Sequence, residues 1–123
     1  MEYEELTEKI IKCAIDVHDS LGPGLLENVY KECLFFKLRK AGLYAEKEKS
    51  LPVIFEEVNL DCGYRMDILV ENSVVVELKS VKKIDDIHLA QMLTYLKLGK
   101  YKVGLIINFN VKLLINGLKR VVN

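Results

Sequence analysis

The chain has 123 residues, of which 50% are hydrophobic and 29% are charged, and its 18 basic and 18 acidic side chains cancel. This composition excludes a largely disordered chain, which would lack the apolar residues of a core, and predicts a single domain over residues 1–123. The zero net charge argues against nucleic-acid binding along a strongly basic surface, although a local basic patch remains compatible with it.

The same composition bears on location and on cysteine chemistry. The longest apolar runs, such as residues 103–107, are too short to span a bilayer, and the acidic start MEYEE does not resemble a signal peptide. None of the three cysteines stands in a C-x-x-C pair, which argues against a zinc or iron–sulfur site. We therefore expect no membrane association, reduced thiols and a cytoplasmic protein.

Two helices are predicted at the start of the chain. Over residues 3–21, apolar side chains recur at spacings of three and four, and Gly22-Pro23-Gly24 ends the pattern. A second helix is predicted over residues 25–41, with Gly42 as its C-terminal cap.

Strands are predicted next. Residues 49–55 form a strand pattern in which Pro52 indicates an edge position, and residues 56–59 form a turn into a short strand. Residues 64–70 and 74–80 are two further strands whose short separation predicts a hairpin.

A third helix over residues 84–98 and a buried strand over residues 103–108 follow. In the tail, Gly117 separates a possible helical turn from a last short strand over residues 118–122. The order is α-α-β-β-β-α-β, which predicts an α/β fold with a mixed central sheet flanked by helices.

The hairpin register brings two acidic residues together. Residues 71–73 are expected to form a three-residue loop, and directly opposed residues then share a face of the sheet with β-carbons roughly 4.5–5.5 Å apart. Lys79 lies on the same face as Glu77, whereas a one-residue slip would separate the two acids. The opposed pairs are Val70–Val74, Leu69–Val75, Ile68–Val76 and Asp67–Glu77.

Opposed carboxylates repel each other, and the repulsion grows as they lose water. A divalent cation offsets it, and hard carboxylate oxygens suit Mg²⁺ or Mn²⁺. Lys79 would contact a phosphate, stabilise developing charge or orient an attacking water. The alternative is a charge cluster on the solvent face, but the apolar residues flanking both acids favour a central, covered hairpin.

Three motifs carry a family resemblance. Asp67 followed by Glu77-Leu78-Lys79 resembles the D-x(n)-E-x-K signature of the PD-(D/E)XK nuclease superfamily, although residue 66 is Met where the full signature has Pro. Gln91 and Tyr95 form a Q-x-x-x-Y pair similar to that of the RecB-type branch. The run GLLENVY at 24–30 resembles the G-x-x-E-x-x-Y motif of the GxxExxY proteins.

This resemblance implies a restriction-endonuclease-like core and a metal-dependent nuclease that hydrolyses phosphodiester bonds of nucleic acid, with DNA as the expected substrate. It implies that Gln91 and Tyr95 position the substrate and that Lys79 assists water attack. It also implies a Mg²⁺ or Mn²⁺ site formed by Glu27, Asp67, Glu77 and the carbonyl of Leu78.

Several alternatives stay open. A non-catalytic member that binds nucleic acid or protein would fit the zero net charge, and a homodimer could form through an exposed edge strand at residues 49–55. His18 is either a core histidine or a metal ligand, and His88 either reaches phosphate or faces solvent. The hydroxyls of Tyr30 and Tyr95 require polar partners, either in the site or on the backbone.

Overall fold

A computed structural model describes residues 1–123 and consists of three α-helices, one 3₁₀-helix and seven strands. The elements in chain order are α1 (Tyr3–Leu21), α2 (Glu27–Lys40), β1 (Ala45–Ser50), β2 (Val53–Phe55), β3 (Val58–Leu60), β4 (Arg65–Val70), β5 (Val74–Lys79), α3 (Asp86–Gly99), β6 (Val103–Asn108), the 3₁₀-helix (Leu114–Gly117) and β7 (Leu118–Val122).

The central sheet has five strands in the order β1-β4-β5-β6-β7. Only β5 and β6 are parallel, and the other neighbours are antiparallel. Parallel neighbours need a long crossover, which here contains α3. Strands β2 and β3 form a separate two-stranded sheet. The predicted α/β fold with a mixed sheet is confirmed.

The sheet separates two hydrophobic clusters. The larger joins α1 and α2 to one face of the sheet and includes Leu6, Leu34 and Ile107, whereas the smaller joins α3 to the sheet and includes Leu69 and Met92. Strands β5 and β6 contribute residues to both clusters, which explains why they read as nearly continuous apolar runs.

The prediction of one strand over residues 49–55 is wrong. Strand β1 begins at Ala45 and ends at Ser50, Leu51 and Pro52 are outside any strand, and β2 resumes at Val53. Proline has no amide hydrogen for a strand ladder, so a break at Pro52 is the ordinary outcome. The start of β1 was missed because AEKEKS is charged, and such residues are acceptable only because β1 is an edge strand.

Helix starts also differ from the prediction. Helix α3 begins at Asp86 rather than at residue 84, because Asp85 is its N-cap in a reciprocal capping box with His88. Helix α2 begins at Glu27 rather than at residue 25, since the Leu25 amide donates to the Tyr30 hydroxyl instead of entering the helix. None of the helices has the length and apolar character required to cross a membrane.

Candidate active site

The β4–β5 hairpin changes character at its open end. Backbone pairing is regular at Val70–Val74, Leu69–Val75 and Ile68–Val76, as the loop length predicts, and it stops there. Beyond it, the Asp67 amide donates to Oε2 of Glu77 at 2.7 Å, and the Leu78 amide donates to Oδ2 of Asp67 at 2.8 Å. Each carboxylate therefore binds the backbone of the opposite strand, and the two acids lie together between the diverging strands.

Pairing on the other side of β4 is also interrupted at Asp67. The β1–β4 ladder has Lys47–Ile68 and Lys49–Met66 as partners but omits Glu48 and Asp67 between them. Glu48 has a φ of 51°, a left-handed conformation that costs a non-glycine residue about 1 kcal/mol or more. Strain of this kind concentrates at functional sites. No local pattern in the charged β1 segment predicts the left-handed conformation of Glu48.

Burial disfavours the ionised forms of both acids. It raises the pKa of Asp67, partly countered by the Leu78 amide and by the positive charges of Lys31 and Lys79. Burial and then repulsion from Asp67 raise the pKa of Glu77 to about 8. Glu77 is only 8% exposed. Glu77 therefore holds a proton near pH 7, and a side-chain hydrogen bond with Asp67 contributes to the rise of its pKa.

Two lysines lie near the acidic pair, but neither forms an ion pair with it. Lys79 is half-buried, and its ammonium is not within 4.0 Å of any carboxylate oxygen. Lys31 is 9% exposed, and its ammonium lies 3.3 Å from Oε1 of the exposed Glu48. Lys31 was not predicted as a site residue, although it shares the spacing of the buried Leu34 and Leu38 on α2, an unusual position for a lysine.

Glu27 lies beside the acidic pair but is not part of a ligand cluster. Its Oε2 accepts a hydrogen bond from the Ser80 amide at 3.3 Å, directly after β5. A cleft of about 210 Å³ connects it with Asn28, Lys31 and Asp67. No three His, Cys, Asp or Glu side chains are grouped closely enough to hold a metal ion.

The predicted glutamine–tyrosine pair on α3 is formed. Gln91 Nε2 donates to the Tyr95 hydroxyl at 3.3 Å, as expected for residues one helical turn apart. Burial raises the pKa of Tyr95, and the negative charge of Glu77 is the next cause, so the phenol lies within electrostatic reach of the acids. Gly104 allows this close approach of α3, because a β-carbon there would collide with Met92.

A further polar residue organises the chain after β5. Asn108 is 2% exposed, and its amide both donates to the Val81 carbonyl at 2.9 Å and accepts from the Val81 amide at 3.1 Å. In the parallel β5–β6 ladder Asn108 is the partner of Lys79. Asn108 therefore holds the backbone of Val81, in the loop that follows Lys79, in place. The polar residue at the end of the apolar β6 pattern was its only signal in the sequence.

Three other candidates have structural partners. His18 is buried, and its Nε2 lies 2.7 Å from the Val111 carbonyl. Tyr30 donates to the Gly22 carbonyl at 2.6 Å, accepts from Leu25 at 3.1 Å and stacks on Phe109. The His88 Nδ1 accepts from the Asp85 amide. The core interpretation of His18 is supported, and the partner of the Tyr30 hydroxyl is the backbone.

Comparison with protein families gives one match. The sequence model of the PD-(D/E)XK nuclease superfamily matches residues 4–121, and the chain belongs to that superfamily. No curated protein and no solved structure matches the chain. The family suggests nuclease activity on nucleic acid, and its enzymes generally use divalent metal ions.

Proposed function

We propose that this PD-(D/E)XK superfamily domain, spanning residues 1–123, is a Mg²⁺- or Mn²⁺-dependent nuclease that hydrolyses phosphodiester bonds of DNA. The observation that carries the proposal is the buried pair of Asp67 and Glu77 at the open end of the hairpin. Near neutral pH a proton on Glu77 keeps the pair from carrying two buried negative charges, and a divalent cation would take the place of that proton.

The donor set fits a hard divalent ion. Each carboxylate has one oxygen bound to a backbone amide, through the Asp67 and Leu78 N–H groups, which orients the pair. Carboxylate oxygens are the ligands that Mg²⁺ and Mn²⁺ prefer. We propose that the Leu78 carbonyl and Glu27 complete the set, with Glu27 leaving the Ser80 amide to join the acids in the shared cleft, because no three such side chains are close enough without that movement. The bound ion would activate a water and offset negative charge on the phosphate.

The remaining roles belong to Lys79, Gln91 and Tyr95. Lys79 is the cation nearest the acids along β5 and has no ion pair, so its ammonium is available to a phosphate oxygen or to the attacking water. The Gln91–Tyr95 pair presents an amide and a phenol beside the acids, and both would hold the substrate in position for in-line attack.

The sequence motifs and the cysteines support a finer assignment of family branch and cellular location. We propose the GxxExxY branch because Gly24, Glu27 and Tyr30 have separable functions here: a turn with φ of 93°, a side chain beside the acids, and a hydroxyl that locks the turn. The QxxxY pair supports a RecB-type relationship. The three free cysteines support a reducing, cytoplasmic location.

A non-catalytic binding module is the second candidate. The zero net charge and the engagement of Glu27 by the Ser80 amide favour it. A homodimer is compatible with either function, because β1 is an edge strand with an unpaired side. A single cleavage assay separates the two candidates.

The assay incubates the purified chain with labelled single- and double-stranded DNA in Mn²⁺ or Mg²⁺. Wild type is expected to release product, and Asp67→Ala is expected to release none above background. Glu32→Gln is the matched control, because Glu32 is a surface acid paired with Lys47 and lies outside the site. Equal product from wild type and Asp67→Ala would mean that the activity is a contaminant's and would remove the catalytic proposal.

A further inference from the structure

An uncharged groove shares Gln91 and Tyr95 with the proposed catalytic site. It has a volume of about 510 Å³, and six of its nine lining residues are hydrophobic. None of the nine is Asp, Glu, Lys or Arg. The lining residues are Val53, Tyr64, Ile87, His88, Ala90, Gln91, Thr94, Tyr95 and Leu98.

Tyr95 connects the groove to the acids. The negative charges of Glu77 and Asp67 contribute to the raised pKa of the Tyr95 phenol. The Tyr95 ring lies in the groove wall next to Tyr64, with ring centroids 6.1 Å apart and planes inclined by 62°. A molecule seated in the groove would therefore contact the tyrosine that we propose holds the substrate.

Tyr64 presents a partly exposed aromatic surface to the groove. Its side chain is 45% exposed, its carbonyl accepts from the Leu51 amide at 3.0 Å, and the edge contact with Tyr95 holds the ring. Gln91 and Thr94 add polar groups to the same groove. A planar, neutral group with polar edges would stack on Tyr64 and bond to these side chains.

We propose that this groove binds an unpaired nucleobase, so that the substrate is a single strand or an unpaired segment of nucleic acid. The inference rests on the proposed function and names the substrate class of that site. A phosphate would find no cation among the lining residues. Bases within a duplex have their faces covered by neighbouring bases, whereas an unpaired base offers a face to an aromatic ring.

The zero net charge of the chain agrees with this choice. Proteins that follow a duplex by its phosphates usually carry an excess of basic residues, whereas the basic and acidic residues of this chain are equal in number. Base stacking on aromatic side chains supplies affinity without them. Contact with a base near the scissile phosphate also places that phosphate in a defined position.

The test measures binding without requiring turnover. Asp67→Asn protein, free of divalent metal, is titrated into three fluorescent ligands of equal length: oligodeoxythymidine, the same backbone without bases, and a duplex. We expect oligodeoxythymidine to bind about tenfold more tightly than the abasic strand, and more tightly than the duplex. In the Asp67→Asn background, Tyr64→Ala should remove the advantage of the bases, and Tyr64→Phe should retain it.

Tyr44→Ala is the matched control, because Tyr44 is 55% exposed and lies outside the groove. It should leave the base preference unchanged. Equal binding of abasic and normal strands, or a preference that survives Tyr64→Ala, would overturn the inference. So would self-association of the chain that Tyr64→Ala abolishes, since the groove would then belong to a second copy.

The two proposals fail separately. Tyr64-dependent binding without any cleavage by wild type supports the groove and contradicts the nuclease. Cleavage that Asp67→Ala abolishes, together with indifference to bases and to Tyr64→Ala, supports the nuclease and contradicts the groove. Melting curves of every variant verify that the lost binding comes from a folded protein.

Discussion

The two ends of the β4–β5 hairpin use the same strands but are held together differently. At the turn end, Val70, Val74 and Leu69 are fully buried and their backbones pair in a regular ladder. At the open end, the carboxylates of Asp67 and Glu77 replace backbone carbonyls as acceptors of strand amides. Hydrophobic burial therefore stabilises the turn end, whereas the open end carries acidic groups whose ionised forms are disfavoured by burial.

Residues that stabilise the fold and residues proposed for catalysis are thus only about 10 Å apart along the strand, the rise of three residues. Residues at the turn end should matter for folding and little for catalysis. Residues at the open end should matter for catalysis, and their neutral replacements should leave the fold as stable as before or more so. The following substitutions test that division.

The largest effect is expected at the open end. Glu77→Gln should lower the Mn²⁺-dependent cleavage rate about a thousandfold, or roughly 4 kcal/mol of transition-state stabilisation. The glutamine oxygen can still accept from the Asp67 amide, and glutamine needs no proton uptake on folding, so the melting temperature near pH 7 should stay equal or rise. Initial rates and thermal melts measure the two effects. An unchanged cleavage rate, or a large loss of stability, would contradict the assignment of catalysis to the open end and of folding stability to the turn end.

The turn end should respond in the opposite way. Leu69→Ala removes a fully buried side chain from the cluster that joins α3 to the sheet and should cost about 3 kcal/mol of unfolding free energy. The cleavage rate per folded molecule should not change at low temperature. Ile54→Ala is the control, because Ile54 is 58% exposed and its truncation should alter stability by about 0.5 kcal/mol or less. Urea titration and active-site-normalised rates test both statements.

The pH dependence of stability should reveal Glu77. The folded chain holds a proton on Glu77 up to a pKa of about 8, whereas the unfolded chain loses it near its ordinary, lower value. The folded state therefore binds more protons between these values, and stability falls as pH rises through this window. Without metal, wild type should lose about 2 kcal/mol between about pH 5 and pH 7 relative to Glu77→Gln. Parallel curves for the two proteins would contradict the raised pKa.

The smallest effect separates two tyrosines. Tyr30→Phe leaves the Gly22 carbonyl and the Leu25 amide without their partner and should cost about 1 kcal/mol, with cleavage retained. Tyr95→Phe should cost less stability and lower the cleavage rate, because we propose that its hydroxyl and Gln91 hold the substrate. Urea unfolding and initial rates of the pair measure this. Loss of cleavage in folded Tyr30→Phe would place Tyr30 in the chemistry rather than in the turn.

The hairpin was predictable because its information is local. Alternating apolar residues and an odd loop length determine which side chains oppose each other, and the pairs Val70–Val74 to Ile68–Val76 follow. The strand Val103–Asn108 was predictable for a similar reason, since a strand covered on both faces is continuously apolar. Asp67 and Glu77 were predicted as the next opposed pair, but the ladder ends before them, and they are brought together by hydrogen bonds from carboxylates to backbone amides.

The missing parts depend on contacts between distant segments. Strand β1 has no apolar pattern because it is an edge, and the left-handed Glu48 arises only where β1 meets Asp67 on β4. Lys31 acquires its place beside Asp67 only when α2 packs on the sheet. The separation of the strands beyond Ile68 is likewise invisible to a register argument, which assumes that pairing continues.

Cation binding tests the central claim most directly, because it asks whether the buried acids hold a metal. Metal-free wild type is titrated with Mn²⁺ near pH 7 by calorimetry in buffers of different ionisation enthalpy. We expect saturable binding with release of a proton, since Glu77 must ionise to bind the metal. Asp67→Asn and Glu77→Gln should bind Mn²⁺ with an affinity at least about tenfold lower than that of wild type. Glu32→Gln should match wild type. Absence of binding, or equal affinity in wild type and both site variants, would contradict the account.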